Sequence, residues 1–147
     1  MRFILIDEII ELVPGKSIEA VKTLSSGEEL FQDHFPGFPV VPGVLLTEMM
    51  AQAAGKCLDS ERSDRGKPML AQITSAKFRE WVPPDTPVHV HCTIQSSRPN
   101  FATAACRIET NGRTACSADL LFTFVSADRF APGWRDEVLD RYLATRR

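Results

Sequence analysis

Residues 42–58 read PGVLLTEMMAQAAGKCL, an apolar run that opens on a proline. Val44, Leu45, Leu46, Met49, Met50, Ala51, Ala53, Ala54, Cys57 and Leu58 fall on nearly every side of a 3.6-residue helix, and a helix apolar all round has to be buried. Pro42 suits the first turn, where the missing N–H costs nothing. Ala51, Ala54 and Gly55 allow other backbone to approach closely. A chain with one such helix must supply something to wrap it.

The rest of the chain supplies strands. Segments 69–79, 87–97, 101–110 and 113–125 read as β, broken at Pro83-Pro84 and at Arg98-Pro99-Asn100. PGKSIEAVKTL (14–24) opens on a turn and then alternates, which predicts another strand. RFILIDEIIEL (2–12) is compatible with strand or helix. Residues 25–33 read as a polar loop with a short turn near GEELF, and 59–68 as a charged loop. The sum is an α+β domain whose antiparallel sheet curls around one buried helix. Toward the C-terminus, Trp134, Val138 and Tyr142 recur at i, i+4 and i+8, predicting an amphipathic helix within 131–147, packed on the sheet or on another subunit. The expected division is a main domain over 1–126 and a helical extension of it over 127–147.

Composition narrows the function. The net charge of −2 over 147 residues excludes a chain-wide basic footprint for nucleic acid. No apolar run reaches membrane-spanning length, and the first residues carry no basic-then-apolar signal, so a cytosolic protein is expected. Cys57, Cys92, Cys106 and Cys116 lack metal-ligand spacing. A two-residue turn at Asn111-Gly112 would set Ile108 opposite Ala115 and Arg107 opposite Cys116. That register puts Cys106 and Cys116 on opposite faces, so free thiols are expected. His89 and His91 share a strand face without a third ligand, and no metal site is expected.

The chemistry gathers before and inside the helix. Pro36, Pro39 and Pro42 stand three apart, with His34 ahead of them and Glu48 fourteen residues beyond it. Desolvation among Leu and Met favours the neutral carboxyl, which makes Glu48 a candidate general acid. Histidine is the natural base near neutral pH. The helix start at Gly43 and Val44 offers free backbone N–H groups to an oxyanion, and Gly43 admits a substrate carbonyl close to the backbone. Base, acid and oxyanion site together describe proton abstraction beside a carbonyl with loss of a leaving group. Gln52 lies one turn after Glu48, and an ordinary packing amide is the simpler expectation for it.

His34-Phe35-Pro36-Gly37, Pro39, Pro42-Gly43-Val44-Leu45, Glu48 and Ala51-Gln52 closely resemble the 3-hydroxyacyl-acyl carrier protein dehydratases of fatty acid synthesis. AKFREWVPPDT (76–86) and NGRTACSADLLFTF (111–124) resemble that family's middle and closing segments. The resemblance implies a hot-dog fold and an obligate homodimer, often a trimer of dimers. It further implies that histidine and acid come from different subunits, that the acyl chain lies in an apolar tunnel between them, and that no cofactor is used. Carried over, His34 removes the C2 proton, Glu48 assists loss of the C3 hydroxyl, and the Gly43 N–H holds the thioester oxygen. Acyl carrier protein is the implied partner, and it is acidic. Lys77, Arg79 and Arg98 are therefore candidate docking residues, with an ordinary solvated face the even alternative. Glu at 48 resembles the plain dehydratase branch. Asp33 departs from the family's usual glycine, and MLAQITSA (69–76) lacks its aromatic gate. The competing functions are a hot-dog thioesterase and a non-catalytic carrier-binding subunit. The His-Phe-Pro loop argues against the first, and the presence of both His34 and Glu48 against the second.

Overall fold

The computed structural model describes residues 1–146. Six antiparallel strands form one sheet in the order β1-β2-β4-β5-β6-β3. They are β1 (Glu8–Val13), β2 (Ser17–Lys22), β3 (Lys67–Phe78), β4 (Val88–Ser97), β5 (Phe101–Thr110) and β6 (Arg113–Val125). Helix α1 (Gly43–Asp59) lies inside the curl of this sheet and packs against β2 through β6. This is the hot-dog arrangement. Met49, Met50, Ala53, Ala54 and Cys57 of α1 are fully buried against Val90, Ala104, Leu120 and Phe122 of the sheet. Each large side chain enclosed this way contributes about 1.5–3 kcal/mol.

Residues 2–7 form neither strand nor helix, yet Leu5 and Ile6 are fully buried on the core. The open alternative for 2–12 thus resolves to a strand only from Glu8. A single 3-10 turn at Glu29–Gln32 matches the expected turn in the polar loop.

Two expectations, for the closing hairpin and for the tail, are corrected by the fold. The turn at Asn111-Gly112 forms as read, both residues having the positive φ of a type I′ hairpin (53° and 75°). A bulge between Ile108 and Glu109 then shifts the register, so Ile108 pairs with Cys116 and Cys106 with Ala118. Cys106 and Cys116 therefore share the inner face. All four cysteines are nonetheless free and buried. Burial raises the Cys57 thiol to about 11 and Cys116 to about 12, and holds Cys92, opposite Cys106, well above its usual value. Cys57, Cys92 and Cys116 thus remain protonated, unreactive core groups.

The second correction concerns the tail. Helix α2 spans only Glu137–Ala144, and Trp134 precedes it instead of joining its face. Pro132 and Gly133, the latter at φ 79°, hold 131–136 out of helix. Asp136 caps α2 by accepting from the Leu139 N–H at 3.0 Å, and its other oxygen accepts from Lys56 of α1 at 2.8 Å. The two side chains are only 17% and 10% exposed. Removing one partner of a pair this enclosed costs about 3–5 kcal/mol. The extension is thereby fastened to the central helix.

The two sheet edges are treated differently. Along β1, α2 covers the free backbone: the Leu12 N–H donates to the Tyr142 hydroxyl at 3.2 Å, and Arg141 and Arg146 donate to the carbonyls of Asp7 and Ile10. No described residue does this for β3. Its Leu70, Ile73 and Phe78 pair with the core residues Phe122, Leu120 and Cys116 and so face inward. They are still 39%, 47% and 47% exposed. A long bare edge with apolar inner side chains is what a second sheet edge would cover.

Candidate active site

The segment after the 3-10 turn closes into a tight loop. Phe35 and Phe38 exchange backbone hydrogen bonds (3.0 and 2.9 Å), and the Val40 N–H donates to the His34 carbonyl at 3.2 Å. The Val41 N–H donates to the Val82 carbonyl at 2.7 Å, which ties the loop to the segment before β4. His34 is half-buried, its ring stacked on Phe35 at 4.0 Å between centroids. Its Nδ1 lies 3.1 Å from the Val40 carbonyl. A carbonyl can only accept, so Nδ1 carries the proton and Nε2 of the neutral ring keeps its lone pair. The loop therefore presents a base with a fixed tautomer. Asp33 is exposed and makes no ion pair among the described residues.

Pro42 caps α1, leaving the N–H groups of Gly43 and Val44 without partners one turn back. A Cβ on Gly43 would stand 3.0 Å from the Phe78 ring. A side chain here would press on that ring, and its absence leaves the backbone accessible. Val44 is turned to solvent.

Helix α1 is not buried all round. Val44, Glu48, Gln52, Gly55, Lys56 and Asp59 make a stripe that the chain's own sheet leaves partly or wholly open. Glu48 is therefore half-buried, not enclosed by apolar side chains as the sequence pattern implied. The sequence also undervalued Gln52. Its Oε1 accepts from the Leu5 N–H at 2.8 Å, which fixes the amide's orientation. Its Nε2 then donates to the Phe3 carbonyl at 3.2 Å and to Glu48 Oε2 at 3.0 Å. The carboxyl is held by one oxygen, and the other is left for a ligand. The i, i+4 spacing was the available signal; the contact with residues 3–5 was not visible from it.

A groove of about 1150 Å³ follows the open stripe from Glu48 past Ala51, Gln52 and Gly55 to Lys56 and Asp59. Met69 and Leu70 of β3 line it, as do Phe130 and Trp134 of the tail. His34 does not line it. One chain thus does not bring His34 and Glu48 to one cavity.

The basic candidates separate. Lys77 and Arg79 flank Phe78, which rests against Gly43, and Arg79 donates to Ser117 Oγ at 3.2 Å. Arg98 sits in the β4–β5 turn, its N–H donating to the Phe101 carbonyl at 2.8 Å. Lys77 and Arg107 both pair with Ser117, and Phe101 lies at the far end of the same strand β5, roughly 20 Å from Arg107. Arg98 does not join the other two. His89 and His91 lie on the outer face near Glu19 and Glu109, each 3.8 Å from a carboxylate oxygen. No group of three metal-ligating side chains occurs among the described residues.

The FabA-like domain model matches residues 1–119. The chain belongs to this FabA-like family. It is 42% identical over 117 residues to the 3-hydroxyacyl-[acyl-carrier-protein] dehydratase FabZ of Lactobacillus helveticus, covering 79% of each. Against the enzyme of the same name from Levilactobacillus brevis it is 42% identical over 123 residues, 83% of each. Two solved structures share the fold at lower identity. The dehydratase heterocomplex ApeI:P from Xenorhabdus doucetiae aligns with a TM-score of 0.61 at 18% identity, over 78% of this chain and 96% of that one. A hypothetical thioesterase with coenzyme A from Streptococcus pneumoniae aligns at 0.65 and 12%, over 82% and 89%. The matched 1–119 of this FabA-like chain contain the His34 loop and all of α1, whereas Phe130, Trp134 and α2 lie beyond them.

Proposed function

We propose that the chain removes water from 3-hydroxyacyl thioesters on acyl carrier protein, giving the trans-2-enoyl product, as a homodimer with composite sites. The observation that carries this is the division of labour in one chain: Glu48 opens on the groove, and His34, with Nε2 free, does not reach it. A second copy supplies the missing base. The bare β3 edge, with Leu70, Ile73 and Phe78 uncovered, is where that copy joins, since α2 already blocks β1.

In the composite site, Nε2 of His34 from one subunit takes a proton from C2. The electron pair moves toward the thioester oxygen, which the Gly43 N–H stabilises. Glu48 of the other subunit, held by Gln52, gives a proton to the C3 hydroxyl, and water leaves as the C2–C3 double bond forms. Proton exchange with solvent then returns His34 to neutral and Glu48 to the acid. The chemistry requires no cofactor. Lys77 and Arg79 beside the Gly43 end suit an acidic carrier protein. Four buried, free thiols suit the reducing cytosol. No helix among the described residues is long and apolar enough to cross a membrane. The tail from 127 onward belongs to the same domain, fastened through Asp136.

The test is product identity. Purified protein with a 3-hydroxyacyl-carrier thioester is expected to form the enoyl thioester, followed by absorbance and a mass loss of one water. Release of free acid would instead make it a thioesterase. Carrier binding without any turnover would make it a binding subunit.

A further inference from the structure

Helix α1 also sets the direction of the substrate. With C3 at Glu48, the acyl carbons beyond it enter the groove that this residue opens on and run toward the helix C-terminus. That is the course of the groove, past Ala51 and Gly55. The apolar course then stops. At its far end Lys56 is locked to Asp136 at 2.8 Å, and Lys67 to Asp59 at 3.1 Å. Trp134, 54% exposed, stands over this end, with the Lys67 ammonium 5.5 Å from its ring and Phe130 6.0 Å away. From Glu48 to Lys56 the helix advances about 12 Å. A hexadecanoyl tail beyond C3 is longer than this. To pass, it would have to displace the indole and place methylenes against two largely enclosed ion pairs.

We infer that the C-terminal extension is a length gauge, with Trp134 as the specificity-determining residue that ends the acyl channel and restricts the enzyme to short and medium 3-hydroxyacyl chains. The inference rests on the dehydratase reading above. It assigns a task to a segment outside the family match, and it places the aromatic stop at the far end of the channel although 69–76 contains no aromatic residue.

The experiment measures kcat/KM for 3-hydroxybutyryl, 3-hydroxyoctanoyl, 3-hydroxydecanoyl and 3-hydroxyhexadecanoyl carrier thioesters, in the native protein and in Trp134→Ala and Phe130→Ala. The native enzyme is expected to lose activity steeply between decanoyl and hexadecanoyl. Trp134→Ala is expected to raise the hexadecanoyl-to-butyryl ratio roughly tenfold or more, the scale of a few methylenes in an apolar site. Folding is checked by circular dichroism, and Phe130→Ala opens the same end if the tryptophan variant does not fold. A native enzyme indifferent to length, or a ratio unmoved in folded variants, would overturn the gauge. No turnover at any length would remove the dehydratase reading and the gauge with it.

Discussion

His34→Ala and Glu48→Gln each lower kcat for dehydration by about 10²–10⁴-fold, with native circular dichroism in both. The size follows from what each side chain alone provides. His34 offers Nε2 to the C2 proton, since its Nδ1 is committed to the Val40 carbonyl. Glutamine at 48 keeps the shape of the side chain and can still accept from Gln52, but it has no acidic proton to give. The loss should therefore fall on kcat, with KM changing little, because neither change removes the groove. Folding should survive, because both residues are half-buried and outside the core. The measurement is steady-state kinetics on a carrier-bound substrate, and turnover unchanged without His34 would reject the mechanism.

Ile73→Lys converts the protein to monomers and lowers activity to the level of His34→Ala. Within one chain this substitution costs little, since Ile73 is 47% exposed although its neighbour Leu120 is in the core. Against a second sheet edge it buries an ammonium without a partner, a penalty of several kcal/mol across the two symmetric copies. Sedimentation analysis reports the mass and circular dichroism the retained fold. A dimeric, active Ile73→Lys protein would mean that β3 is not the interface.

Much of the architecture could be read from the residues. The helix was visible because Pro42 and the apolar run after it leave few alternatives, and the long strands because Pro83-Pro84 and Asn111-Gly112 punctuate them. The failures share a physical cause. The bulge at Ile108/Glu109 changes which residues face inward without changing composition, so alternation from the turn alone assigns Cys116 to the wrong face. Trp134 has helical spacing to Val138, but Asp136 begins the helix two residues later by capping it and holding Lys56. The stripe with Glu48 and Gln52 looks buried in sequence because it is interleaved with the apolar residues of α1, and the sequence does not show which side the sheet leaves open. The same reasoning applies to the candidate site. His34 and Glu48 stand out by type and spacing, yet spacing along one chain says nothing about which copy of it each will serve.

Mixing inactive His34→Ala with inactive Glu48→Ala tests that division directly. Subunits are exchanged by mild denaturation and refolding, and dehydration is measured before and after. Composite sites predict recovery to about a quarter of native activity, because half the dimers are mixed and each mixed dimer has one site with both groups intact. If both groups served from the same chain, every site in the mixture would lack one of them, and the mixture would stay as inactive as its parents.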